Sequence, residues 1–139
     1  MTARRIEEIE HTADWAIRVR TASLPDLFTA AAEGMFGLLA DLSIVSRDQK
    51  HDIDLRAVDA EALLIDWLNE LLYLAEQRGL VFARFDIHRL DTTDGAQLAA
   101  TAFGGRPREL NKVIKAATFH GLAIRRDAAG FQVDLVFDV

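Results

Sequence analysis

The sequence predicts an α+β domain of two layers, with two amphipathic helices laid on a mostly antiparallel sheet. Three observations predict it. Two segments carry apolar residues at the 3.6-residue period of one helix face. Other segments, 16–20 and 52–58 most clearly, alternate apolar with polar residues, the period of half-buried strands. Several of these alternating segments are joined by short turn clusters, as in Asp91-Thr92-Thr93-Asp94-Gly95 and Asp127-Ala128-Ala129-Gly130. A chain of 139 residues, half of them apolar, suits one domain with one core, so residues 1–139 are read as a single unit.

The strongest element is the helix over 59–79. Leu63, Leu64, Trp67, Leu68, Leu71, Leu72 and Ala75 form its apolar face, and Ile65 and Leu74 widen it. Asp59 can accept from the free N–H groups of the first turn, and Gly79 can take the left-handed conformation that ends it. Asp66, Asn69, Glu70 and Tyr73 share a second, polar face. That face is either solvated or turned toward a neighbouring loop or a partner.

The other elements follow in order. Residues 4–10 alternate weakly around Ile6 and Ile9, and 16–20 alternate apolar and basic, so His11-Thr12-Ala13-Asp14 lies at a junction between two strands. Thr12 and Asp14 suit a turn there. Ser23 caps a helix with Pro25 in its first turn and Asp26 in capping-box position. Its face, through Leu27, Phe28, Ala31, Met35, Leu38 and Leu39, runs out near Ala40. Residues 43–50 are a polar connector before a strand at 52–58. After the long helix, 80–90 and 96–103 form a hairpin that Gly104-Gly105-Arg106-Pro107 breaks. Residues 112–119 lead into a last hairpin of 122–126 and 131–139.

Composition removes several function classes. The absence of cysteine excludes disulfides, thiolate metal sites and cysteine nucleophiles. No apolar run approaches about 18 residues, and no apolar segment follows Arg4 and Arg5 as in a secretory signal, so a cytoplasmic location is expected. A net charge of −6 opposes stand-alone nucleic-acid binding. One stretch, 103–126, runs against the trend, with Arg106, Arg108, Lys112, Lys115, Arg125 and Arg126 against Glu109. It suits contact with phosphate or with an acidic partner.

The chemistry-bearing residues are few. There is no glycine-rich phosphate loop, no nucleophile elbow and no metal-ligand spacing among His11, His51, His88 and His120. What remains is acidic. Asp138 is penultimate, so its carboxylate lies beside the terminal carboxylate of Val139. Two anions so close repel unless a cation separates them. Oxygen ligands suit Ca²⁺ or Mg²⁺ better than zinc, and Asp14 would complete such a site if its junction lay beside the last strand. Lys115, between Ile114 and Ala116, is the alternative counter-cation.

Four strings occur in order along the chain: His11-Thr12-Ala13-Asp14; Glu61-Ala62-Leu63-Leu64-Ile65-Asp66-Trp67-Leu68-Asn69-Glu70-Leu71-Leu72-Tyr73-Leu74; Ile114-Lys115-Ala116-Ala117-Thr118-Phe119-His120-Gly121-Leu122; and Val136-Phe137-Asp138-Val139. Together they resemble the archease family. The resemblance implies a small cytoplasmic protein with a strand–helix–strand–strand fold. It implies a non-catalytic activator of the tRNA-splicing RNA ligase, which joins 2′,3′-cyclic-phosphate or 3′-phosphate ends to 5′-hydroxyl ends. The activator promotes guanylylation of the ligase histidine and restores its turnover, and it meets RNA through the ligase. By the same resemblance Asp14 and Asp138 belong to a metal site, Lys115 is needed for activation, and His11 and His120 occupy motif positions. The chain departs from the family at Phe119, where a tyrosine is usual, at Arg108, where a histidine is common, and at Val113, where an acid is frequent. The loop before Glu109 is also shorter. Two other readings compete: a metal-dependent hydrolase using Asp14 and Asp138, and a folding or assembly helper for an RNA-modification enzyme, bound through the polar face of the long helix. The first is opposed by the lack of a general base or nucleophile beside the carboxylates.

Overall fold

A computed structural model describes residues 4–9, 15–111 and 113–139 of the chain. The expected α+β architecture is present, with eight strands and two long helices: β1 (Arg4–Ile9), β2 (Trp15–Thr21), α1 (Leu24–Leu39), β3 (Gln49–Ala57), α2 (Ala60–Arg78), β4 (Val81–Asp91), β5 (Ala96–Gly105), β6 (Ala116–Thr118), β7 (Arg125–Asp127) and β8 (Gly130–Asp138). Every strand pair is antiparallel.

The strands divide between two sheets. One has the order β1-β2-β8-β6, with β7 also paired to β8, and the other has the order β3-β5-β4. The central strand of each, β8 and β5, has both edges filled, so backbone pairing does not join the sheets. The helices join them instead. α1 packs on β2 and β8 of the first sheet and on β4 of the second, while α2 packs on β3 and β6.

The caps form as their residue types require. The Ser23 side chain accepts from the Asp26 N–H at 3.3 Å, and the Asp59 carboxylate accepts from the Ala62 N–H at 2.8 Å. Gly79 ends α2 at φ 65°, a left-handed conformation that a Cβ would strain. Between the helices and the sheets lies one continuous core that includes Phe28, Phe36, Trp67, Phe82 and Phe137. Phe36 meets the edge of Phe82 at 5.8 Å between ring centres. Trp67 is fully buried, and its indole N–H donates to the Phe28 carbonyl at 3.0 Å, which ties α2 to α1.

Several boundaries move. The connector after α1 contains a 3₁₀ turn at Leu42–Ile44, and β3 starts early, at Gln49. The expected strand at 122–126 contracts to Arg125–Asp127. The Gly104-Gly105 pair does not break the hairpin; both residues are the last rungs of β5. A Cβ on Gly104 would stand 2.2 Å from the Val81 carbonyl oxygen, so the glycine is there to let β4 approach.

Candidate functional site

The site grows from the C-terminal end of β8. Strand alternation sends Val133, Leu135 and Phe137 into the core, which leaves Asp138 exposed at the rim. On one side of β8, Phe137 is the register partner of Trp15, the residue that follows Asp14 in the chain. On the other side, Asp138 is the register partner of Ala116, and the Lys115 N–H donates to the Asp138 carbonyl at 2.8 Å. Segments more than a hundred residues apart therefore meet at one sheet end. His11 and Asp14 themselves lie outside the described residues.

Lys115 is exposed, while its neighbours Ile114 and Ala117 are buried and hold the segment down. Its ammonium makes no ion pair with a described residue, and neither does the Asp138 carboxylate. The alternative of Lys115 as counter-cation to Asp138 is not realised. The β6–β8 register pairs Ala116, not Lys115, with Asp138, and Lys115 and Ala116 both line a groove against α2. His120 is not at this rim. It lies beyond the far end of β6, exposed, in a turn where its backbone N–H donates to Thr118 Oγ1 at 3.3 Å and Gly121 takes φ 63°.

What holds Lys115 in place is α2. The Asn69 side chain donates through Nδ2 to the Ala117 carbonyl at 3.1 Å and accepts from the Ala117 N–H at 2.8 Å through Oδ1. β6 is an edge strand with an open backbone row. The carboxamide presents one donor and one acceptor, as a peptide group does, and closes that edge. Glu61 accepts from the Ile124 N–H at 3.3 Å, so two side chains of α2 fix the path on either side of His120. Sequence reasoning placed Asn69 on a polar face either solvated or turned toward a neighbouring segment; at Asn69 the second holds, and the sequence did not name Ala117 as the partner. The available signal was an asparagine in a helix interior, where its propensity is poor.

The outer face of the first sheet is neutralised locally. Arg18 holds Asp134 through two hydrogen bonds, of 2.8 and 3.0 Å. The Arg18 hydrogen bond is the main reason that the Asp134 carboxyl titrates below its ordinary range, with the Arg18 charge adding to it against partial burial. Asp134 is thus committed to Arg18, whereas Asp138, four residues further along β8, keeps both oxygens available. His88 Nε2 lies 2.7 Å from Thr101 Oγ1, which in turn donates to Asp52 at 2.8 Å; these residues belong to the second sheet, whereas the β8 rim belongs to the first.

Comparison with known proteins bears on the family and the fold. The model of the archease protein family (MTH1598/TM1083) matches residues 6–139. The protein archease of Methanopyrus kandleri is 32% identical over 138 residues, covering 96% of this chain and 98% of that one. That of Saccharolobus islandicus (strain M.14.25) is 36% identical over 140 residues, covering 98% and 99%. The solution structure of Methanobacterium thermoautotrophicum protein 1598 superposes with a TM-score of 0.84 at 28% identity, over 96% of this chain and 98% of that one. The match along nearly the whole chain leads to one conclusion: the chain belongs to the archease family.

Proposed function

We propose that this protein is a non-catalytic activator of the tRNA-splicing RNA ligase, promoting guanylylation of the ligase and its multiple turnover through Lys115 and the acidic rim of β8. The observation that carries the reading is the meeting of the Lys115 segment with the end of β8, beside the strand that follows His11–Asp14. The Asp138 carboxylate has no protein partner among the described residues, and its oxygens are the hard donors that Ca²⁺ or Mg²⁺ take. In this reading a divalent cation is held by Asp138 together with Asp14, which lies outside the described residues. When bound it would neutralise these carboxylates and fasten the start of β2 to the end of β8. Lys115 then stands beside that rim as a compact ammonium without an internal partner, available to a phosphate or carboxylate of the ligase complex. RNA is met through the ligase, and His11 and His120 are supporting positions in the same reading.

The test is multiple-turnover ligation of 3′-phosphate and 5′-hydroxyl RNA ends by the cognate ligase, with and without this protein. The wild-type protein should raise ligase guanylylation and turnover. Lys115→Ala should keep the wild-type melting temperature, because an exposed lysine without an ion pair contributes no more than about 0.5 kcal/mol, yet fail to stimulate. Lys115→Arg separates charge from shape: recovery of activity means that charge suffices, and failure means that a point donor is required. Full stimulation by Lys115→Ala would refute the assignment of this lysine.

A further inference from the structure

Beside Lys115 lies a groove of about 770 Å³ between the C-terminal half of α2 and the segment 107–116. Its walls include Leu72, Tyr73, Pro107, Leu110, Val113 and Lys115. Tyr73 is 58%, Leu110 53% and Val113 67% exposed, three of the eight large apolar side chains left open among the described residues. Scattered exposed apolar residues need no explanation, but a cluster lining one concavity marks an interaction site. The groove is held open by the fold: the Asn111 N–H donates to the Leu39 carbonyl at 2.6 Å, and Asn69 pins the other end at Ala117.

We infer that this groove seats an amphipathic helix of the partner ligase, with an apolar stripe inward and carboxylates along the flank that meets the 106–115 segment. The inference rests on the activator reading and names the contact that would bring Lys115 to its target. Charge selects the occupant. Lys115 lines the groove on one bank, with Arg106 and Arg108 flanking its Pro107 in the chain and none of the three paired with a described residue, while Glu76 lines the α2 bank. A helix acidic on one flank and basic on the other matches both banks. An added β-strand is disfavoured, because the β6 edge is already closed by the Asn69 carboxamide. A second copy is disfavoured too: the apolar faces of α1 and α2 are buried in their own core, so neither is free to fill the groove of another molecule.

Binding of the cognate ligase is measured by calorimetry for the wild-type protein, Leu110→Asp, Val113→Asp and, as a control, Val58→Asp, with guanylylation assayed in parallel. Val58 is 80% exposed and lies before α2, outside the groove. All three positions are exposed enough for the variants to keep the wild-type melting temperature. The two groove variants should bind at least about tenfold more weakly, with stimulation recovered only at higher concentration, and Val58→Asp should match wild type. Wild-type binding and stimulation by both groove variants would overturn the groove while leaving the activator reading intact. So would an equal loss with Val58→Asp, or light scattering in which Val113→Asp turns a dimer into a monomer. A wild-type protein that does not stimulate the ligase would bring down the activator reading and this inference with it.

Discussion

Asn69 offers the most exacting test of the structure, because one side chain satisfies both backbone groups of one residue. In Asn69→Leu the Ala117 N–H and C=O lose the partners now at 2.8 and 3.1 Å. Ala117 is only 5% exposed, so water replaces those partners poorly. An unsatisfied buried polar group costs about 1–3 kcal/mol. Two groups would double that, but Asn69 itself is half-buried and water can approach from its side, which brings the sum to about 2–3 kcal/mol. Leucine returns up to about 0.5 kcal/mol through better helix propensity, for a net loss of about 2 kcal/mol. In a chain of 139 residues that corresponds to a melting temperature lower by roughly 6–8 °C. Hydrogen exchange locates the effect: the Ala117 amide should lose protection while the β2–β8 ladder keeps it. Asn69→Asp adds a control of sign. Its carboxylate still accepts from the Ala117 N–H but faces the Ala117 carbonyl with an acceptor instead of a donor. The variant should be weak near neutral pH and recover part of the loss as the introduced carboxyl is protonated, since a carboxylic acid again offers one donor and one acceptor. An Asn69→Leu protein that melts within a degree of wild type, with its Ala117 amide still protected, would refute the reasoning.

Two further outcomes follow from other contacts. Gly104→Ala should fail to fold at growth temperature or lose several kcal/mol, because a Cβ 2.2 Å from the Val81 carbonyl oxygen forces β4 away from β5; a far-ultraviolet melt like that of wild type would contradict the β4–β5 register. For Asp134 the titration is depressed by Arg18, so its contribution is complete above the ordinary carboxylate range and is lost as pH falls below about 4. Melting temperatures of wild type and Asp134→Asn should therefore differ near neutral pH and converge in acid, by a small amount because both side chains are about one-third exposed. A gap that is unchanged by acid would rule out the Arg18 pairing as its source.

Short-range patterns already carried the helices and most strands. The apolar face of α2, its Asp59 cap and its Gly79 stop are local features, set by a 3.6-residue period and by the backbone preferences of single residues, and they appear as expected. The alternation in β8 likewise told which side chains enter the core and left Asp138 outside. The motif strings, and with them the family, were also legible, because they depend on residue order alone.

The two hairpins, β4 with β5 and β7 with β8, were legible from their turn clusters, but the pairing of strands distant in the chain was not, because it depends on which segment fills each edge. Nothing local divides eight strands between two sheets, and β6, three residues long, is too short to show a period. Gly104 read as a breaker because its reason for being glycine, the Val81 carbonyl, lies more than twenty residues away. The same holds for the site. The chain order names Lys115 and Asp138 but does not say that they share a backbone hydrogen bond without an ion pair, or that Asn69 holds the segment after Lys115 through Ala117. The sequence by itself determined which elements form and which side chains can carry charge, since these follow from neighbours one to four residues apart. The tertiary structure alone decided which segments meet at the β8 rim, because strand register and helix packing are set by burial shared among residues remote in the chain.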